Sequence, residues 1–178
     1  GKRKMLYSGI HFNFSFTDKY IEELFCKSNE KSIKKFKDKL YLTLAKLVTK
    51  YSWLIIYLTA ASPVMDKSFF KDENSQGDYL SKYSSPRCGK NGYWNDFVPL
   101  LKYDDIKSYV QSIQNYIDVG QLKSPAELYY PVRLKSVGEN SLENLELSGV
   151  NHIELRMFDL NPLSQVGIMI EDLQFVHC

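Results

Sequence analysis

Apolar and polar residues alternate in three short stretches of this chain, and alternation is the signature of a strand with one buried face. In the first, Ile10, Phe12, Phe14 and Phe16 point one way and His11, Asn13 and Ser15 the other, which predicts a strand over residues 5–16. In the second, Tyr129, Arg133 and Lys135 share one face and Tyr130, Val132 and Leu134 the other. In the third, Val150, Ile153, Leu155 and Met157 are apolar, with Glu154 and Arg156 set between them. Each stretch offers an apolar side to a core. The opposite sides carry His, Asn, Tyr, Arg and Glu, rather than the Thr, Lys, Glu and Ser common on solvated sheets. Such faces point to a surface that lines a ligand.

Helical spacing accounts for most of the remainder. Thr17 is placed to cap a short helix reaching about residue 29, with Ile21, Leu24 and Phe25 inward. A long amphipathic helix is predicted over 31–61, with an inward stripe of Phe36, Leu40, Leu44, Leu47, Tyr51, Leu54, Ile55 and Leu58. Ser62-Pro63 ends it. Residues 64–92 read as loop, broken by Gly77, Pro86, Gly89 and Gly92. A helix follows over 104–120, with Ile106, Tyr109, Val110, Ile113 and Ile117 inward, and a short one over 142–147 is stopped by Gly149. Ile170, Leu173 and Val176 recur at helical spacing at the end of the chain. Helices between one-sided strands predict an α+β fold, with helices on one side of a sheet and a ligand-binding side left open.

Bulk properties narrow the partners. The chain has 178 residues, 44% of them hydrophobic, enough for one globular domain with a sizeable core. A net charge of +2 gives no strong electrostatic case for nucleic acid. Lys31, Lys34, Lys35, Lys37 and Lys39 read as the wet face of the long helix. No apolar run is long enough to span a bilayer, and the expectation is no membrane partner. Cys26, Cys88 and Cys178 are few, odd in number and far apart, which argues against a disulfide framework and for the reducing cytoplasm. The chain enters a strand almost at once and closes on a helical pattern without a stop signal. It therefore reads as a piece of something longer.

On a rigid strand, a carboxylate and a guanidinium two residues apart can hold a metal ion and an oxyanion together, the charge pair that phosphoryl transfer needs. The same spacing also serves a plain surface ion pair, which contributes little.

The motifs in their order carry a resemblance. Ser8-Gly9-Ile10-His11-Phe12-Asn13-Phe14-Ser15, Ala61-Ser62-Pro63, the stretch from Arg87-Cys88-Gly89 to Tyr93-Trp94-Asn95, Tyr130-Pro131-Val132-Arg133, and Gly149 through Pro162 follow one another along nearly the whole chain. Together they resemble the bacterial glutamate–cysteine ligase family, including the N-terminal part of bifunctional glutathione synthetases. The resemblance implies a curved, mainly antiparallel sheet like that of glutamine synthetase, here incomplete, with residues 1–178 one fragment of a single catalytic domain. It implies glutamate, cysteine and ATP as partners and Mg²⁺ as cofactor. ATP phosphorylates the γ-carboxylate of glutamate, and the amine of cysteine displaces the phosphate. His11 and Glu154 match metal-ligand positions, and Arg156 matches the arginine facing the moving phosphoryl group. Arg87 and Tyr93 match a loop pair at the acceptor site, where an arginine can fork onto a carboxylate. Tyr129 matches a tyrosine lining that site, and Asn13 and Arg133 match recurrent positions on the ligand face. The family's acidic metal cluster lies upstream of the His motif and is missing here. The chain alone is therefore expected to fold but not to turn over. Two other readings fit the same residues: a related carboxylate–amine ligase with another acceptor, or a non-catalytic relative that binds an amino acid or nucleotide.

Overall fold

The two alternating stretches around Arg133 and Glu154 pair with each other. In the computed structural model, which describes residues 9–61, 64–65, 79–80, 84–89, 92–93 and 95–178, they form strands β4 (Val132–Lys135) and β5 (His152–Asp159). The pairing is antiparallel, with Val132 opposite Leu155 and Lys135 opposite His152. Strand β1 (Gly9–Phe14) completes a three-stranded sheet of order β1-β5-β4. Two two-residue strands, β2 (Val64–Met65) and β3 (Tyr79–Leu80), form a second antiparallel pair. Helices α1 (Asp18–Cys26), α2 (Ile33–Thr59), α3 (Ile106–Asp118), α4 (Leu142–Ser148) and α5 (Ile170–His177) make the architecture α+β, as the alternation predicts. Among the described residues, no helix is long and apolar enough to cross a membrane.

The helix starts follow from capping side chains that satisfy amide donors left open in a first turn. The Thr17 side chain accepts from the Tyr20 N–H, Asp105 from that of Ser108, and Ser141 from that of Asn144. Helix α4 stops at Gly149, whose φ of 78° suits a residue without Cβ.

The chain divides into two compact units. One gathers Gly1–His11, Tyr51–Asp96 and Arg156–Cys178, and the other Phe12–Lys50 and Phe97–Leu155. In the second, Ile21, Tyr41, Leu42, Ile106, Tyr109, Ile113, Val132, Leu134, Ile153 and Leu155 are buried together with further apolar side chains. There α3 packs against α4 and against a 3-10 turn, Pro125–Glu127. In the first unit, the buried apolar residues Met157, Phe158 and Ile168 keep company with buried Thr59, Ser85, Arg87 and Asp159.

Two expectations need correction. The inward stripe of α2 is rotated: Asp38, Tyr41, Leu42 and Ala45 are buried, whereas Leu47, Tyr51 and Leu58 are about half exposed. The helix is apolar on more than one side, so periodicity does not choose its rotation. Polar anchors do. Asp38 accepts from the Val150 N–H at 2.7 Å, and the Tyr41 hydroxyl accepts from that of Phe16 at 3.0 Å. The second correction concerns Tyr129. Strand β4 begins at Val132, so alternation does not put Tyr129 on the face of Arg133. Pro131 precedes the strand and has no N–H to give a ladder.

Candidate functional site

In the second unit the sheet face is built by register. Glu154 stands opposite Arg133, and His152 opposite Lys135, so all four point to one side. The buried alternates Ile153, Leu155, Val132 and Leu134 hold that side outward. Lys135 Nζ lies 3.9 Å from Glu154 Oε2, and both side chains are largely buried, at 19% and 13% exposed. Burial lowers the His152 pKa below 6.5; Lys135 lowers it further, and Glu154 partly opposes them. The Arg133 guanidinium is committed elsewhere. Its Nη2 donates to the carbonyls of Pro125, Ala126 and Leu128 at 3.2, 3.4 and 3.3 Å, closing off the end of the 3-10 turn. A cation suits that end of a helical turn. Asn13 is exposed on β1, and Tyr129 is half-buried between the turn and β4.

In the first unit, a loop is clamped onto the second half of β5. Arg87 is 7% exposed. Its Nη2 donates to the Arg156 carbonyl at 3.3 Å, and its guanidinium sits 4.7 Å from the centre of the Tyr93 ring. Such a cation–π contact at a desolvated site is stronger than a surface one. The Tyr93 N–H returns to the Arg87 carbonyl at 2.7 Å. Gly92 allows this turn: a Cβ there would lie 2.1 Å from the Arg87 carbonyl oxygen. On the other side, a Cβ on Gly9 would lie 2.1 Å from Arg87 Nε. The loop thus sets Arg87 against Tyr93, and Arg87 reaches the main-chain carbonyl of Arg156. His11 is exposed on β1.

Two residues of this arrangement, Ser85 and Asp159, were not assigned from the sequence. Asp159 is 3% exposed, and its carboxylate accepts from Ser85 Oγ at 2.6 Å and from the Ala61 N–H at 3.1 Å. The signal for Asp159 was a carboxylate directly after the apolar pair Met157-Phe158. Ser85, beside Ser84 and Pro86, looks like any turn residue.

The donors present do not by themselves fit a magnesium ion. Mg²⁺ demands near-octahedral coordination, mostly by oxygen. Among the described residues, no three of His, Cys, Asp or Glu lie close enough to enclose a cation. Glu154 can offer carboxylate oxygens, but Lys135 is its near neighbour.

Comparison with known proteins gives the family. The model of the glutamate-cysteine ligase family matches residues 1–123 and 117–178. The glutathione biosynthesis bifunctional protein GshAB of Clostridium perfringens is 38% identical over 186 residues, covering 99% of this chain and 24% of that protein. Its counterpart in Listeria monocytogenes is 41% identical over 185 residues, again 99% of this chain and 24% of the relative. Among solved structures, a bifunctional glutathione synthetase from Pasteurella multocida superposes with a TM-score of 0.83 at 33% identity, covering 99% of this chain and 23% of that one. The glutamate–cysteine ligase of Francisella tularensis, solved in complex with AMP, gives 0.75 at 25% identity, over 95% of this chain and 39% of that one. The chain spans about a quarter of the length of the bifunctional relatives it matches. With a family match that runs from its first residue to its last, the chain belongs to the glutamate–cysteine ligase family.

Proposed function

We propose that this chain is part of the catalytic domain of a glutamate–cysteine ligase. The whole protein would join the γ-carboxylate of glutamate to the amine of cysteine at the expense of ATP, in the cytoplasm. The observation that carries this reading is the buried Arg87 guanidinium, stacked on Tyr93 and bonded to the strand that presents Arg156, in a chain of this family. A fixed, planar cation is what an amino-acid carboxylate needs for a directed grip. In the reaction, a γ-carboxylate oxygen takes the terminal phosphoryl group of ATP, and ADP leaves. The amine nitrogen then forms the amide bond, phosphate leaves, and the amine gives up a proton. Arg156 stabilises charge on the phosphoryl group in flight. Asn13, Arg133 and Tyr129 belong to the ligand-facing side on this reading, and His11 and Glu154 are each a metal-ligand position. The remaining magnesium ligands come from other parts of the protein.

The test is ADP release by the full-length protein with ATP, glutamate and a panel of amines. Preference for cysteine and its close analogues supports the reading. Preference for another acceptor moves it to a related carboxylate–amine ligase. No ADP release with any amine overturns it in favour of a binding protein. Arg156→Ala should lower kcat by about 10²–10³-fold, the usual cost of one such contact, without lowering the melting temperature.

A further inference from the structure

Burying a carboxylate without matching hydrogen bonds is costly. Asp159 is buried and matched by two donors: the Ser85 hydroxyl, in the segment that holds Arg87, and the Ala61 N–H. Its bond from the Ser85 hydroxyl, at 2.6 Å, has the short length of a charge-assisted hydrogen bond. While donating to Asp159, Ser85 Oγ accepts from the Cys88 N–H at 3.2 Å. The Cys88 thiol in turn donates to the Met157 carbonyl at 3.2 Å. Burial pushes that thiol's pKa up to about 11, so it stays a neutral donor at neutral pH. Residues 85 and 88 are therefore both tied to β5 and to each other, with Arg87 between them. Only a small hydroxyl performs the task of residue 85. It must donate to a carboxylate and accept from an amide at once, in a space 2% exposed. A loop could be anchored with less risk by apolar packing. A carboxylate–hydroxyl–amide chain instead fixes direction, and directional placement is what a carboxylate-gripping guanidinium requires.

We propose that Asp159, acting through Ser85, is a positioning residue for Arg87, and that this pair sets the affinity of the site for the carboxylate of the acceptor amino acid. The inference rests on the reading of Arg87 given above.

The experiment uses the full-length protein with Ser85→Ala, Asp159→Asn and Arg87→Ala. Each is assayed with cysteine and with 2-aminoethanethiol, an acceptor that has the amine and thiol but no carboxylate. Ser85→Ala should raise KM for cysteine roughly tenfold, the size of one lost hydrogen bond that orients a charge. KM for 2-aminoethanethiol, glutamate and ATP should stay close to wild type. Asp159→Asn should act in the same direction; if it does not fold, Ser85→Ala decides alone. If Arg87→Ala raises KM for cysteine but Ser85→Ala does not, the positioning role is wrong and the site reading survives. A Ser85→Ala defect that is equal for both acceptors marks general loosening and also overturns the role. If Arg87→Ala leaves KM for cysteine unchanged, Arg87 is not at the acceptor site, and both readings fall.

Discussion

Strand β5 is held in two different ways along its length. Its first half, in the second unit, is held by regular pairing with β4 and by the buried alternates Ile153 and Leu155. Its second half, in the first unit, is gripped by side chains and a loop: Arg87 on the Arg156 carbonyl, Cys88 on that of Met157, and Ser85 and the Ala61 amide on Asp159. The first mode derives strength from apolar burial and leaves the polar face outward. The second puts polar groups inside, where each is expensive unless matched and therefore tolerates little displacement. One half of the strand is a scaffold, and the other a fixture for a cation.

Three experiments test that contrast. Leu155→Ala should cost about 2–5 kcal/mol of unfolding free energy, as buried leucine truncations do, whereas its neighbour Glu154→Gln should change stability little. Chemical denaturation of both variants checks this; equal losses would mean that the polar face is part of the core. Asp38→Ala comes next. It removes the acceptor for the buried Val150 N–H where the chain enters β5, at a cost of about 1–3 kcal/mol. The loss should appear as faster amide exchange near Val150; unchanged protection there would show that pairing alone fixes the strand's entry. The smallest effect is the pH response of His152. Its folded-state pKa lies below 6.5, so the unfolded chain binds the proton more readily. The contribution is fully present above pH 6.5 and is lost as pH falls through the folded value. His152→Gln should flatten the fall in stability over that window, and a variant with the wild-type slope would contradict it.

Much of the first mode was legible in the sequence. Alternation around Val132, Leu134, Ile153 and Leu155 located β4 and β5 and gave their inward faces correctly, and Thr17 and Gly149 marked helix ends. The resemblance brought Arg87, Tyr93 and Arg156 forward, and the structure sets Arg87 against the Tyr93 ring and the main-chain carbonyl of Arg156. The second mode was much less legible, because a hydrogen bond from Ser85 to Asp159 leaves no periodic trace. Arg87 and Arg133 show the same limit: one lies against a tyrosine and a strand carbonyl, the other closes a turn. Nothing local in the chain separates these fates. The rotation of α2 was misread for a related reason, since Asp38 and Tyr41 choose the face through partners distant in sequence.

Gly9 has a consequence for how this protein can vary. A methyl group there would collide with the end of the Arg87 side chain and drive the guanidinium from the place its partners hold it in. In a saturation screen, position 9 would therefore score as a binding residue although it has no side chain to bind with. Among descendants of this sequence, glycine at 9 and arginine at 87 should be inherited as a pair. A lineage that lost the arginine would be released to put alanine at the glycine.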